Sequence, residues 1–173
     1  MGTLFTSMSK SNKVTIKENN GFTYVGETKN GKKSGFGELF DSMFNLVYSG
    51  EWESGKMNGE GKIFIKRHID GEEHTLTYQG SFKNNKLHGR GVEEYLNGII
   101  RYEGEFKDGL YDGTGILYRI KTSEVEEIEY KGNFKQNKRC GSGTSYKKSG
   151  EIDYEGSWKN DKKDGAGKYY IKG

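Results

Sequence analysis

Apolar and polar residues alternate along this chain with a period of two, and the alternation is interrupted at regular intervals by Gly, Asn or Asp. In YSGEWESGKMNGEGKIF, residues 48 to 64, Tyr48, Gly50 and Trp52 occupy every second position. They therefore share one face of a strand, because successive strand side chains point to opposite sides. The same phase restarts at Tyr24, Tyr48, Tyr78, Tyr102, Tyr130 and Tyr154, at intervals of 24, 30, 24, 28 and 24 residues. Two positions after each Tyr stands Gly26, Gly50, Gly80, Gly104, Gly132 or Gly156, and four after it Thr28, Trp52, Phe82, Phe106, Phe134 or Trp158. No window sustains the three-and-four apolar spacing of a helix, and Gly is too frequent for one. The pattern predicts an all-β array of strand–turn–strand units that stack to bury a face none can bury alone.

The glycine between two rings leaves bare backbone, on which an aromatic ring from a neighbouring strand is expected to lie. Seven positions after each Tyr come Gly31, Gly55, Asn85, Gly109, Asn137 and Asp161, types that tolerate a left-handed turn. Paired glycines such as Gly59 and Gly61 then open the return strand, which reaches Phe40, Phe64, Tyr95, Tyr118, Tyr146 or Tyr170, with Tyr95 one place out of phase. Within the second unit, Tyr48, Gly50, Trp52, Gly59, Gly61 and Phe64 are expected to specify the stack, and Lys56 and Met57 to vary with function. Units are joined by hairpins at Asn20-Gly21, Asn97-Gly98 and Ser149-Gly150. At Asn20-Gly21 a type I′ turn is predicted, both of whose central residues need positive φ. The two long intervals lengthen the hairpins at Arg67 to His74, turning at Asp70-Gly71, and at Ile120 to Glu129. The array is expected over 13–173, after a polar leader at 1–12.

Composition changes this picture little. Hydrophobic and charged residues each make up 31% of 173 residues, too little apolar material for a conventional core. Twelve Tyr, nine Phe and two Trp, evenly spread, nevertheless argue for order. The single cysteine, Cys140, rules out an internal disulfide framework and makes a reducing, cytoplasmic setting the expectation. No apolar run is long enough to span a membrane, and the N-terminus has no apolar signal region. Gly2 and Thr6 fit the loose N-myristoylation pattern, which by itself gives only marginal membrane binding. A formal net charge of +3 is too small to imply nucleic acid.

The pattern YxGxWxxGxxxGxGxxxF, present as YSGEWESGKMNGEGKIF and YEGEFKDGLYDGTGILY, resembles the MORN repeat, the membrane occupation and recognition nexus family. Six phased copies cover about residues 24 to 170, with Thr28 replacing the second aromatic in repeat one. The resemblance implies an elongated, twisted, single-layer antiparallel β-meander. Two strands per repeat plus an N-terminal strand, at about 4.8 Å each, would give a rod of roughly 60 Å. It also implies protein partners or an anionic membrane surface, a cytoskeletal or ciliary setting, and self-association. KYYIKG leaves an open edge strand, so either the chain continues or that edge serves a homodimer or larger assembly.

Candidate chemistry is thin, and no catalytic, cofactor or metal set is expected. His68 and His74 flank the Asp70-Gly71 turn near Glu72 and Glu73, a solvated hairpin tip without supporting residues. Cys140 fills a turn position held elsewhere by Ser34, Asn58, His88, Asp112 and Asp164. GxG precedes a strand here, where a nucleotide fingerprint requires a helix. Charge is more informative. The six intra-repeat turns hold 13 Lys or Arg against 5 Asp or Glu, a net of +8, leaving −5 for the rest. Stacked in register they form a basic rim including Lys29, Lys32, Lys33, Lys135, Lys138, Arg139, Lys159, Lys162 and Lys163. That rim is a candidate site for anionic lipid, and lysines there also solvate turns. Nine positions after the Tyr, Met57, Leu87 and Tyr111 are apolar where the outer repeats are basic, and Leu110 adjoins them. This strip is a candidate dock for a helical or extended acidic segment, or equally a cover for the aromatic ladder. Three functions follow: a non-catalytic scaffold for protein partners, a peripheral lipid-binding module, or a regulatory repeat subunit of an enzyme complex.

Overall fold

The computed structural model describes residues 13–69, 71–120 and 126–171. The leader and the Gly2 acylation pattern lie outside the described residues, as does Asp70 of the Asp70-Gly71 turn. Thirteen strands follow one another in chain order: β1 (Val14–Lys17), β2 (Thr23–Lys29), β3 (Lys32–Phe40), β4 (Leu46–Glu53), β5 (Lys56–Ile69), β6 (Glu72–Lys83), β7 (Lys86–Tyr95), β8 (Ile100–Lys107), β9 (Leu110–Ile120), β10 (Glu126–Lys135), β11 (Lys138–Tyr146), β12 (Ile152–Lys159) and β13 (Lys162–Tyr169). Each is hydrogen-bonded only to its neighbours, all antiparallel, in one open sheet. This is the all-β array expected from the alternation, laid out as the single-layer antiparallel meander that the resemblance implies.

Inside each repeat the strands are joined by two residues with positive φ, as at Asn30 (52°) and Gly31 (73°) or Asn84 (51°) and Asn85 (68°). That dihedral pair matches the sheet's right-handed twist, so the strands leave the turn already paired. The side chain matters as well. Asn85 Oδ1 accepts from Met57 N at 2.7 Å, and Asn137 Oδ1 from Tyr111 N at 2.8 Å. The turn amides donate in return: Asn85 N to Met57 O at 3.0 Å and Asn137 N to Tyr111 O at 2.9 Å. Each turn is thus stapled to the turn before it.

The connecting hairpins form as predicted, but with a different turn. At Asn20-Gly21 only Gly21 has positive φ (88°), while Asn20 Oδ1 accepts from Phe22 N at 3.1 Å. Gly21 N donates to Glu18 O and Glu18 N to Phe22 O, a three-residue loop ending in a left-handed bulge. The same bonding recurs at Tyr95 to Ile99 and Lys147 to Glu151. This loop stands in place of the expected type I′ geometry, and at Asn20 and Asn97 the Asn side chain also holds the amide two residues on.

The six tyrosines of the repeat phase are at most 2% exposed. Each ring lies over the glycine two residues ahead on its own strand and over that glycine's cross-strand partner, as Tyr102 does over Gly104 and Gly115. The covering ring therefore comes from the same repeat, which corrects the expectation of a neighbouring strand for the first glycine and meets it for the second. Each hydroxyl donates to the carbonyl three residues on, as from Tyr24 to Glu27 O at 2.7 Å and Tyr78 to Ser81 O at 2.9 Å. A bare backbone lets the ring lie down far enough to make that bond. The second aromatic then meets two tyrosines edge-on, its own and that of the preceding repeat. Trp52 lies 5.2 Å from both Tyr48 and Tyr24, and Phe106 lies 5.2 Å from Tyr102 and 4.9 Å from Tyr78. Edge-to-face rings are a favourable geometry, and here they link every repeat to the next. Repeat one, despite Thr28, is joined through Tyr24. Phe64 stands apart, 45% exposed on the other face, so it does not specify the stack as expected.

Burial raises the hydroxyls of Tyr24 and Tyr130, to about 12 for Tyr130. At Tyr48, Tyr78 and Tyr102 burial does the same, with nearby Glu carboxylates adding to it. Unfolded tyrosines ionise near pH 10. Their contribution to stability is therefore fully present below pH 10 and is lost as pH rises towards about 12 and beyond. The sheet should lose its circular dichroism cooperatively in that window, together with tyrosinate absorbance. Tyrosinate appearing near pH 10 with the sheet intact would contradict this packing.

Candidate functional site

Three surfaces carry residues that the repeat frame does not require: the aromatic face, the edge of intra-repeat turns, and the edge of connecting hairpins. On the aromatic face, Met57, Leu87 and Tyr111 each stand opposite the second aromatic of their repeat, at Trp52, Phe82 and Phe106. Leu87 is 8% exposed. Tyr111 stacks on Tyr102 with ring centroids 3.7 Å apart and planes within 8°. Met57 packs against the same cluster, and Leu110 is half-buried opposite Lys107. Met57, Leu87 and Tyr111 lie on the aromatic face with much of their surface turned into the ladder, whereas Leu110, the residue before Tyr111 in β9, points to the other face.

A buried carboxylate beside them was not anticipated. Glu93 is fully buried, opposite Tyr78 and Tyr102. Its Oε2 accepts from Tyr111 Oη at 2.6 Å, and its Oε1 accepts from Arg67, whose Nε lies at 3.0 Å. Arg67 comes from β5 in the long hairpin, and its guanidinium also lies 5.7 Å from the Tyr111 ring centroid. Corresponding positions of the other repeats hold Leu39, Ile63, Leu117, Ser145 and Tyr169. One acid in a largely apolar column was the available signal.

On the turn edge, three of the nine expected cations fold inward. Lys33 sits 4.5 Å over the Trp52 ring and pairs with Glu18. Arg139 lies 5.0 Å over Trp158 and pairs with Glu129 and Asp161 at 3.6 and 3.5 Å. Lys163 lies 4.7 Å over Tyr169 and donates to Asp153 at 2.7 Å, holding that carboxyl below its usual range. Cation–π contact with a carboxylate partner accounts for the inward turn. Lys29, Lys32, Lys135, Lys138, Lys159 and Lys162 remain exposed.

On the connection edge, residues 41 to 45 repeat the three-residue loop, with Asp41 N donating to Asn45 O at 2.9 Å and Phe44 N to Asp41 O at 3.0 Å. Where its counterparts have Gly21, Gly98 and Gly150, this loop has Phe44, at φ 63°. Phe44 is 73% and Met43 80% exposed. The Asp41 carboxylate holds the loop by accepting from Met43 N and Asn45 N, both at 2.9 Å, and its carboxyl lies below the usual range, chiefly through the Asn45 side chain. Leu46 in β4 and Phe64 in β5 are also exposed apolar residues. A bulky side chain in the left-handed region is strained, typically by 1–2 kcal/mol. Phe44→Gly should raise stability by about 0.5–1 kcal/mol in urea titrations, after allowing for the looser unfolded chain. Lower stability would place Phe44 in the packing instead.

The remaining candidates do not converge. Arg67 pairs with His74 and His68 with Glu73 across the long hairpin, so the two histidines point to opposite faces. Among the described residues no three metal-binding side chains gather. Cys140 is half-buried in β11, opposite Asn133.

A family model described as MORN repeat matches six stretches, 24–42, 48–64, 78–99, 102–120, 130–152 and 154–173. Over 75 residues, 43% of this chain, the sequence is 41% identical to Alsin of Rattus norvegicus, and equally to Alsin of Mus musculus and of Homo sapiens. The chain spans about 4% of the length of those relatives.

Proposed function

The chain belongs to the MORN repeat family, and we propose that within it this protein is a non-catalytic scaffold that holds protein partners along its sheet, in a cytoskeletal or ciliary assembly. MORN repeats are in general modules for interaction with proteins or membranes. The observation that carries the scaffold reading is the Met43–Phe44 tip. Native backbones hold a strained, exposed, bulky residue where the surrounding structure over-determines it, and such positions concentrate at functional sites. Here Asp41 provides the bracing, and the exposed side chains are of the kind that anchor interfaces. In the relatives the matched stretch is a small part of a much longer chain, which favours reading the array as a module.

The test is affinity purification from the source cell with mass spectrometry, comparing the native chain with Met43→Ser/Phe44→Gly. A partner held by the native chain and lost by the double variant, with folding intact, is the expected result. Recovery of the same partners by both would remove this reading. An anionic membrane surface is the second reading, supported by the six exposed lysines of the turn edge. It requires sedimentation with phosphoinositide vesicles that falls as salt rises. Regulation of an enzyme within a larger assembly is the third reading, and has no dedicated feature on this surface to support it.

A further inference from the structure

We propose that the turn edge is a docking rail for an acidic, extended polypeptide segment carrying a carboxylate at every third residue. The inference rests on the scaffold reading and supplies a surface and a partner chemistry that the Met43–Phe44 tip does not.

The rail begins with an arrangement that stability alone disfavours. Lys29 stands directly opposite Lys32, Lys83 opposite Lys86, Lys135 opposite Lys138, and Lys159 opposite Lys162. Like charges directly opposite on paired strands repel. All eight side chains are exposed. Where cations turn onto the aromatic face, as at Lys33, Arg139 and Lys163, carboxylates meet them. Among the described residues the only carboxylate bridging any of these four pairs is Asp108, 3.7 Å from Lys86. The chain neutralises the inward cations and leaves the edge pairs charged.

The edge is also held at a fixed pitch. Turn-to-turn bonds such as Gly55 N to Lys33 O and Asp161 N to Arg139 O, both within 3.0 Å, lock successive turns together. Consecutive turns are two strands apart, about 9.6 Å at ordinary strand spacing. Three residues of an extended polyproline-type chain advance about 9.3 Å and bring the side chain back to the same side. A carboxylate at every third residue therefore keeps step with successive turns and meets a lysine pair at repeats one, three, five and six, best over the adjacent pairs of repeats five and six; repeats two and four carry Glu53 opposite Lys56 and Lys107 opposite Leu110 there.

A bilayer fits the same edge less well. Glu53, Asp108, Asp112, Asp161 and Asp164 are interspersed among the turn lysines. A flat anionic surface would press against these carboxylates, whereas a single chain can follow the lysine line between them.

The experiment uses the full chain and two labelled peptides of equal length and charge, six Glu-Pro-Pro triplets and a block of six Glu followed by twelve Pro, with anisotropy read at low and at physiological salt. The triplet peptide should bind at least fivefold more tightly than the block peptide and weaken as salt rises. Lys135→Glu/Lys138→Glu/Lys159→Glu/Lys162→Glu should reduce triplet binding more than tenfold, whereas Lys62→Glu/Lys131→Glu, exposed in the middle of β5 and β10 away from the turn edge, should leave it within twofold. Lys138→Glu alone, which converts one like pair into an opposite pair, should keep or raise the melting temperature and so separate binding from folding. Equal affinity for both peptides, or equal loss in both sets of variants, would overturn the rail in favour of diffuse charge attraction. Binding to phosphatidylserine vesicles without binding to the triplet peptide would overturn it in favour of a membrane. Protein partners captured unchanged by the quadruple variant would also overturn the rail, while leaving the scaffold reading standing.

Discussion

Gly104→Val should unfold the middle of the sheet, with a loss on the order of 3–5 kcal/mol, while Lys107→Ala three residues away stays within about 0.5 kcal/mol. A Cβ at position 104 would lie 2.6 Å from Gly115 Cα, from Thr114 O and from the Tyr102 hydroxyl. Two of those atoms are backbone of the paired strand and cannot move without parting β8 from β9. The third is the ring that must lie flat for its hydroxyl to reach Glu105 O at 3.2 Å. Valine adds two further methyls at the same place. Tyr102 would be expelled, and Phe106, Phe134 and Tyr111, all packed on it, would lose their shared partner. Each repeat is supported only by its neighbours, so damage in repeat four spreads both ways. Urea titration followed by circular dichroism gives the two values; similar midpoints for the two variants would refute the role assigned to the bare backbone.

Glu93→Ala should cost about 3–5 kcal/mol, because it leaves the part-buried Arg67 guanidinium and Tyr111 hydroxyl without their shared acceptor. The Arg67→Met/Glu93→Leu/Tyr111→Phe variant should recover most of that loss, since removing every member of a buried polar group leaves nothing unsatisfied. Leu at 93 is what repeats one and four already carry there, as Leu39 and Leu117. The comparison therefore asks what the network is for. If the triple variant matches native stability, the network contributes specificity in how the long hairpin lies on the aromatic face and no net energy. If it remains as weak as Glu93→Ala, the charge pair is itself a source of stability.

Both predictions depend on different kinds of information. The position of Gly104 is legible in the sequence, since Tyr, Gly and an aromatic at period two recur six times in phase. What lies over that glycine is not legible, because a ring on the same strand and a ring across the sheet satisfy the same spacing. The interior role of Glu93 was hidden for a related reason. Its partner Arg67 is 26 residues away, and an acid two residues after a glycine pair reads equally well as solvated. The turns divided in the same way. Residues with left-handed tolerance were recognisable at Asn30-Gly31 and Asn84-Asn85, yet the loop at Asn20-Gly21 took another form, with positive φ at Gly21 alone and the Asn20 side chain bonded to Phe22 N. Phe44 offered no positive signal at all, only a connection without its glycine.

By itself the sequence determined the frame: an all-β array of six repeats, their phase, and the edge on which the lysines gather. These follow from local rules, since strand alternation and turn dihedrals involve residues within a few positions of one another. Only the tertiary structure decided which residues of that frame remain available to a partner. Lys33, Arg139 and Lys163 turned onto aromatic rings, and Leu87 and Tyr111 sank into the ladder. Lys135 and Lys138 stayed outside. Those outcomes depend on rings and carboxylates as far as 23 residues away in the chain, brought near by strand pairing, and spacing along a sequence carries no record of which of them will meet.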